Sequence, residues 1–362
     1  MMKVTTEIAR HAVLGGALLG GGGGGSIEMG MALARQALAQ GPLHLWHIDE
    51  LPPHATVITV SLVGAPAAAR QHVTADHFVR AVRLLRDKVD LRIDAMVTSE
   101  NGGFATVNGW YQSAVLGLPV VDAPCNGRAH PLGLMGSMGL HLRPGYQAHA
   151  AVVGGDTSAG RFVEQVYSGS LQEVSQLVRR AAIEAGGMVA VARNPVEASW
   201  VRTHAAVGGI SQAIALGAIL RENVQAPARL QALAERTGAQ VLATGKVEAL
   251  RRHTGDGFDT GSVVMSAGTD LYELSFFNEY IAVERAGQRL ATFPDLIATL
   301  EQDTLCPLTT AAIEPGRDIV LVVIPWTHLC LGAGMKDPKL YAEVSKAVGM
   351  EVPLPAGLVG ER

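Results

Sequence analysis

Residues 94–122 read D-A-M-V-T-S-E-N-G-G-F-A-T-V-N-G-W-Y-Q-S-A-V-L-G-L-P-V-V-D. A short apolar run, D-A-M-V-T-S, stops at an acid and a Gly-Gly turn. A segment with helix-like spacing follows, F-A-T-V-N-G-W-Y-Q-S-A-V-L-G, and a second apolar run, L-P-V-V-D, ends in Asp122. The pattern is strand, turn, helix, strand. Working outward, L-H-L-W-H-I runs into Asp49, and T-V-I-T-V-S-L-V at 56–63 stops at Gly64-Ala65-Pro66. Both read as strands. Residues 74–90 read as an amphipathic helix whose Arg83, Arg86 and Lys88 form a solvated face. Repeated alternation of strand and helix predicts an α/β fold with a parallel sheet covered by helices. Ligands in such sheets sit beyond the carboxyl ends of the strands. The glycine-rich loop, Gly64 to Pro66, Glu100 to Gly103 and Asp122 to His130 are all expected at that edge.

With 362 residues the chain exceeds the size at which one core stops growing, so two domains are expected. The division is placed near residue 165, after Q-A-H-A-A-V-V-G-G-D. Residues 1–165 form the α/β domain with the glycine loop, and 166–362 a helical connection and a β-rich second domain of swivelling α+β type. A formal net charge of -4 without long runs of one sign argues against a nucleic-acid partner. Cys125, Cys306 and Cys330 are odd in number and form no C-x-x-C pair, which fits a reducing cytoplasm better than a disulfide framework. Lys3 and Arg10 before A-V-L-G-G-A-L-L imitate a leader, but Glu7 and the glycine run interrupt it, so the segment is read as mature protein. No run of about 18 apolar residues predicts a membrane span. A homo-oligomer acting on a small molecule is expected, with no membrane partner.

Gly20 to Gly25 precede Ser26, a plausible N-cap for I-E-M-G-M-A-L-A-R-Q-A-L-A-Q. A helix opening after bare glycines aims free N–H groups at whatever fills the loop. Gly23, Gly24 and Ser26 are therefore candidate substrate contacts. With the strand ending in Asp49 the segment imitates a dinucleotide fingerprint, although Gly15 and Gly16 make the preceding stretch a poor strand. A close approach of the glycine backbone to substrate or to a neighbouring element is the stronger reading.

In the second half, residues 170–186 and most of 195–238 read as helical, with M-V-A-V-A-R between them as a strand. Residues 208–220, G-G-I-S-Q-A-I-A-L-G-A-I-L, suit a domain or subunit interface. From Gln240 the texture is β-rich. F-P-D-L-I-A-T-L reads as a short helix started by Pro294.

These pieces resemble the DUF917 family, the S-methyl thiohydantoin desulfurase-like proteins, over nearly the whole chain. The resemblance rests on L-G-G-G-G-G-G-S at 19–26, D-E-L-P-P-H-A-T-V at 49–57, E-N-G-G at 100–103 and G-L-P-V-V-D-A-P-C-N-G-R-A-H-P at 117–131. F-F-N-E at 276–279, P-D-L-I at 294–297 and E-P-G-R-D-I-V-L-V-V-I-P at 314–325 extend it. It implies a two-domain α/β protein linked with hydantoin or thiohydantoin chemistry, with some members resembling partners of hydantoinase-type proteins.

If the substrate is a thiohydantoin-like ring, hydrolytic displacement of sulfur needs an activated water, a donor for the developing anion and a proton for the leaving group. Glu100 or Asp122 is the candidate base. Arg128, or the N–H groups around Gly102 and Gly103, is the candidate anion binder, and His130 the proton donor. Asn101, Cys125 and Asn126 complete the loop cluster. Cys125 invites a nucleophile reading beside Arg128 and His130, against that of a small buried hydrophobe. A divalent metal held by His130, His141, Cys125 or an acid is an open alternative. Asn278 and Glu279 are expected to close over the cleft or to cap a turn. Two further readings stand beside the hydrolase: a nucleotide-binding enzyme using the glycine loop and Asp49, and a non-catalytic subunit docking a hydantoinase-like partner through 208–220.

Overall fold

The computed structural model describes residues 1–65, 68–255 and 257–358. Pro66 of the Gly64-Ala65-Pro66 turn and Asp256 lie outside the described residues. The first unit runs β1 (Met2–Lys3), α1 (Thr6–Leu19), α2 (Ile27–Gln40), β2 (His44–Trp46), β3 (Thr56–Gly64), α3 (Ala75–Val89), β4 (Ala95–Thr98), α4 (Trp110–Leu116) and β5 (Val120–Val121). It continues through β6 (Ala148–Gly154), β7 (Val163–Gly169), α5 (Leu171–Glu184), β8 (Met188–Glu197), α6 (Ala198–His204), α7 (Gly209–Arg221) and α8 (Ala226–Thr237). The second unit holds β9 (Gln240–Gly255), β10 (Phe258–Ala267), β11 (Asp270–Phe277), β12 (Glu279–Arg285), β13 (Gln288–Thr292), β14 (Leu296–Glu301), β15 (Pro307–Leu308) and β16 (Asp318–Ile324), then α9 (Pro338–Val348).

The first sheet has the order β1-β2-β5-β4-β3-β8-β6-β7. Strands β2, β5, β4 and β3 are parallel, as the alternation of strand and helix predicts. The remaining pairs are antiparallel, so the parallel strands form one half of the sheet. A short connection from β6 to β7 leaves no length for a crossover and forces the antiparallel pairing. The central position of β8 means that the first sheet draws on residues beyond 165. Alternate residues feed two cores. Val57, Val97 and Val191 pack with Val174 and Val178 of α5 on one face. Ile58, Met96 and Ala192 pack with Val13, Ala34 and Leu85 of α1 to α3 on the other. The result is helix, sheet, helix in three layers.

The second sheet, ordered β13-β12-β11-β10-β9-β16-β14-β15, is antiparallel throughout. It curls enough for Tyr280 Oη on β12 to meet Thr299 Oγ1 on β14 at 3.2 Å. The segment after Pro294 is not a helix. It is β14, paired with β16 and β15. L-I-A-T-L is buried on both faces, so it carries neither the alternation of a half-exposed strand nor a polar helical face.

Helix α7 sits between the units. Leu216 and Leu220 pack with Leu18 and Leu19 of α1 and with Leu296, Val320 and Val322 of the second sheet. A Cβ on Gly15 would run into the Ala213 carbonyl, and one on Gly217 into the His11 carbonyl, so α1 and α7 cross at backbone contact. The apolar stretch 208–220 is thus covered by this chain's own elements on its buried side. Among the described residues no single helix is long and apolar enough to cross a membrane.

Candidate active site

The glycine run joins helix to helix, not strand to helix. It threads between the two units, and Gly20 to Gly23 are buried. The Gly21 carbonyl accepts the Tyr280 N–H at 2.8 Å, the Gly22 carbonyl the Thr310 N–H at 2.8 Å, and the Gly24 carbonyl the Phe104 N–H at 3.1 Å. Gly24 has φ +74°, and a Cβ there would strike the Cα of Gly102. A Cβ on Gly23 would enter the Glu279 carboxyl group. Glycine is required because backbone and carboxyl come this close. The dinucleotide reading fails on this geometry, since protein fills the place of a pyrophosphate. Asp49 is engaged at the surface by Arg202, Nε to Oδ1 at 2.6 Å.

Where the carboxyl ends of β3 and β4 meet this glycine backbone and the start of β12, there is a cavity of ≈ 90 Å³. Glu100, His130, Arg179, Arg193, Asn278 and Glu279 line it, with Gly24, Gly25, Ser61, Ser99 and Ser175. Glu100 Oε2 accepts the His130 backbone N–H at 3.3 Å and lies 3.2 Å from His130 Nε2. His130 Nδ1 is 2.9 Å from the Leu132 carbonyl, which only accepts, so Nδ1 carries the hydrogen. The Nε2 lone pair then faces Glu100. Glu279 is aimed by Asn278, which takes a left-handed φ of 57° and accepts the Asp259 N–H on Oδ1 at 2.9 Å.

Burial dominates the protonation states. It raises Glu100 to about 8, against the hydrogen bond from His130 and the charges of Arg193 and Arg128. Burial, then the negative charge of Glu100, pushes Glu279 well above the carboxylate range. Burial, helped by Arg193, lowers His130 to about 3. The imidazole is therefore neutral at pH 7, and the carboxyls hold the protons. Ser61 Oγ, Arg193 Nε and Glu279 Oε2 are buried without a hydrogen-bond partner. Unpaired buried polar atoms are uncommon, and three on residues that line one cavity mark a place built for something polar.

The sequence candidates divide. Glu100, His130, Gly24, Asn278 and Glu279 meet at the cavity, and Gly23 packs against Glu279. Asp122 does not join them. Its Oδ1 accepts the N–H groups of Ile210 at 2.7 Å and Ser211 at 3.1 Å, and its Oδ2 accepts Ser211 Oγ at 2.5 Å. It caps α7 and is no longer a candidate base. Asp122→Ala is expected to cost about 1–2 kcal/mol of stability, with turnover per folded molecule preserved, as thermal melts run beside activity assays will show.

Arg128 is buried and outside the cavity lining, although the charges of Glu279 and Glu100 act on it. It donates to the carbonyls of Ala129, Pro294 and Asp295 and stacks 4.6 Å over Phe293, so it clamps the units, while its Nη2 is buried without a hydrogen-bond partner. Asn101 donates to the Gly127 and Gly209 carbonyls, and Asn126 donates to the Arg128 carbonyl and accepts the Gly332 N–H. Gly102 and Gly103 receive the glycine run by close packing. Ser26 caps α2, accepting the Met29 N–H at 3.1 Å. Cys125 is fully buried in the first core, 3.2 Å from Thr59 Oγ1, and burial raises its thiol to about 11, so the nucleophile reading is set aside.

Among the described residues no group of three or more His, Cys, Asp or Glu is placed to hold a metal ion. His141 is engaged by Ser137 and Asp337, with Nε2 3.0 Å from Asp337 Oδ2. Sequence reasoning missed Arg179 and Arg193. For Arg193 the signal was present, because a cation inside the apolar run M-V-A-V-A-R-N must meet a partner or a ligand. Arg179 lies on an amphipathic helix and looks like an ordinary solvated cation.

The fold and site define a two-domain α/β protein whose polar cavity is walled by both units. The sequence patterns of the S-Me-THD-like N-terminal domain and the S-Me-THD-like C-terminal domain match residues 8–159 and 170–331. The chain belongs to the S-Me-THD-like family. A crystal structure of a protein from Chromobacterium violaceum is similar in fold, with a TM-score of 0.75 at 21% identity, covering 98% of this chain and 100% of that one. No curated protein matches the chain.

Proposed function

We propose that the cavity is the active site of a hydrolase acting on a small cyclic amide or thioamide of the hydantoin or thiohydantoin type. The observation that carries this reading is the Glu100–His130 pair, a carboxyl of raised pKa beside a neutral imidazole, facing the protonated Glu279 across a small cavity. Glu100, once ionised, takes a proton from water as oxygen bonds to the ring carbon. The guanidiniums of Arg179 and Arg193 stabilise the charge that develops. Glu279 hands its proton to the departing sulfur. For an S-methyl thiohydantoin the C–O bond forms, the C–S bond breaks, methanethiol leaves, and the second water proton returns to the ring nitrogen as the carbonyl appears. The acid and base are separable by environment, as paired catalytic carboxyls require.

Incubation of the protein with S-methyl thiohydantoin and with hydantoin tests the reading. Thiol release, with the ring carbonyl product seen by mass spectrometry, or ring opening of hydantoin, is the expected result. Absence of both products from pH 6 to pH 9 would overturn it.

A further inference from the structure

A second space, of ≈ 180 Å³, adjoins the polar cavity of ≈ 90 Å³, and the two share Gly25, Leu62 and Met188 as lining. It lies between the units, with Gly22, Gly23 and Met29 contributed by the first and Thr309 to Ala311 by the second. Ser26 at its rim is exposed, so the space opens to solvent. Its hydroxyls are already engaged. Ser26 Oγ accepts the Met29 N–H at 3.1 Å, Thr309 Oγ1 accepts the Ala312 N–H at 3.2 Å, and Thr310 Oγ1 donates to the Asn278 carbonyl at 2.6 Å. The Gly22 carbonyl takes the Thr310 N–H at 2.8 Å. Apart from Gln71, the side chains left to face the space are the thioethers of Met29 and Met188, the Leu62 chain and the Ala311 methyl. Methionine adapts its shape to an apolar guest. Glu279 joins the two spaces. It lines the polar cavity, and its carboxyl group occupies the position that a Cβ on Gly23 would take.

We propose that this space is the subsite for the group carried on the ring's sulfur, and that it takes an alkyl chain longer than methyl. The proposal rests on the hydrolase reading, in which Glu279 protonates the departing sulfur, and deepens it by naming the leaving group. A sulfur held at Glu279 lies at the Gly23 wall, with the apolar space ahead of its substituent. Water replaces the alkylthio group: the C–O bond forms, the C–S bond breaks, and the alkanethiol leaves with the Glu279 proton. A methyl group would leave most of the space to water, whereas a butyl chain takes apolar surface out of water on its own side and on the wall.

Thiol release from S-methyl, S-butyl and S-(3-hydroxypropyl) thiohydantoin by the full chain, with calorimetric titration of the same three compounds, tests it. The three leaving thiols are alike in acidity, and the last two are alike in length and different in polarity. A buried methylene is worth about fourfold, so the S-butyl compound is expected to exceed S-methyl in kcat/KM by at least ~10-fold, and S-(3-hydroxypropyl) to fall short of S-butyl. Ala311→Phe, which fills the space from the second unit, should collapse the preference for butyl over methyl to within ~3-fold. The comparison within the unmodified chain stands even if that variant fails to fold. Equal kcat/KM for S-methyl and S-butyl, or a preference that survives Ala311→Phe, overturns the proposal. Tighter binding of S-butyl without thiol release from any of the three supports the apolar subsite and removes the hydrolase reading. Release from S-methyl with S-butyl rejected does the reverse, and binding of none removes both.

Discussion

Glu100→Gln is expected to lower turnover by ~100-fold or more, the scale of a lost general base, while raising the melting temperature at pH 8. Below pH 4.5 the Glu100 carboxyl is protonated in both folded and unfolded chains. Between 4.5 and about 8 the unfolded chain releases its proton and the folded chain keeps it. Stability therefore falls as pH rises through that window, by on the order of 3–5 kcal/mol from this group alone. Glutamine does not ionise, so the variant loses the falling limb. His130 acts in the opposite direction. Its pKa is lowered from 6.5 to about 3, so its contribution is present above 6.5 and declines as pH falls toward 3. That acid-side limb should persist in Glu100→Gln. Melting curves from pH 5 to pH 9 separate the two. Parallel profiles for the wild type and the variant would show an ordinary, paired carboxylate at position 100. The same ionisation predicts that kcat/KM rises with pH through about 8.

Arg128→Ala is expected to destabilise the protein by about 3–5 kcal/mol, the range for breaking a buried hydrogen-bonded charge. The guanidinium spans the two units. Its Nε holds the Ala129 carbonyl at 3.0 Å, and its Nη1 holds the carbonyls of Pro294 at 2.9 Å and Asp295 at 2.7 Å. Truncation orphans three acceptors and empties the space over Phe293. Arg128→Lys should recover little, because a single ammonium on a flexible stem cannot reproduce the planar fork. Urea denaturation measures the loss. Wild-type stability combined with abolished turnover would instead return Arg128 to the chemistry.

The strand–helix alternation of 56–122 was legible because each apolar run there is short and bounded by glycine, proline or an acid. The delivery of Glu100 to a sheet edge followed from it. The antiparallel half was not legible, because periodicity says nothing of strand direction. F-P-D-L-I-A-T-L was misread because full burial erases the period on which such reading depends. Glu100 and His130 were singled out from their loops and Glu279 from a strand start, and all three line the cavity. Asp122 and Arg128 have the same local texture and serve α7 and the second unit instead. A sequence does not reveal whether a buried charge meets backbone or a cavity.

The place of β8 has a consequence for synthesis on the ribosome. It pairs with β3 across more than a hundred residues of intervening chain. Until residue 197 has emerged, β3 and β6 each present a bare edge able to recruit strands from other nascent chains. Contacts so distant in sequence also slow closure of the sheet. The interval before β8 arrives is when a chaperone would matter most to this protein.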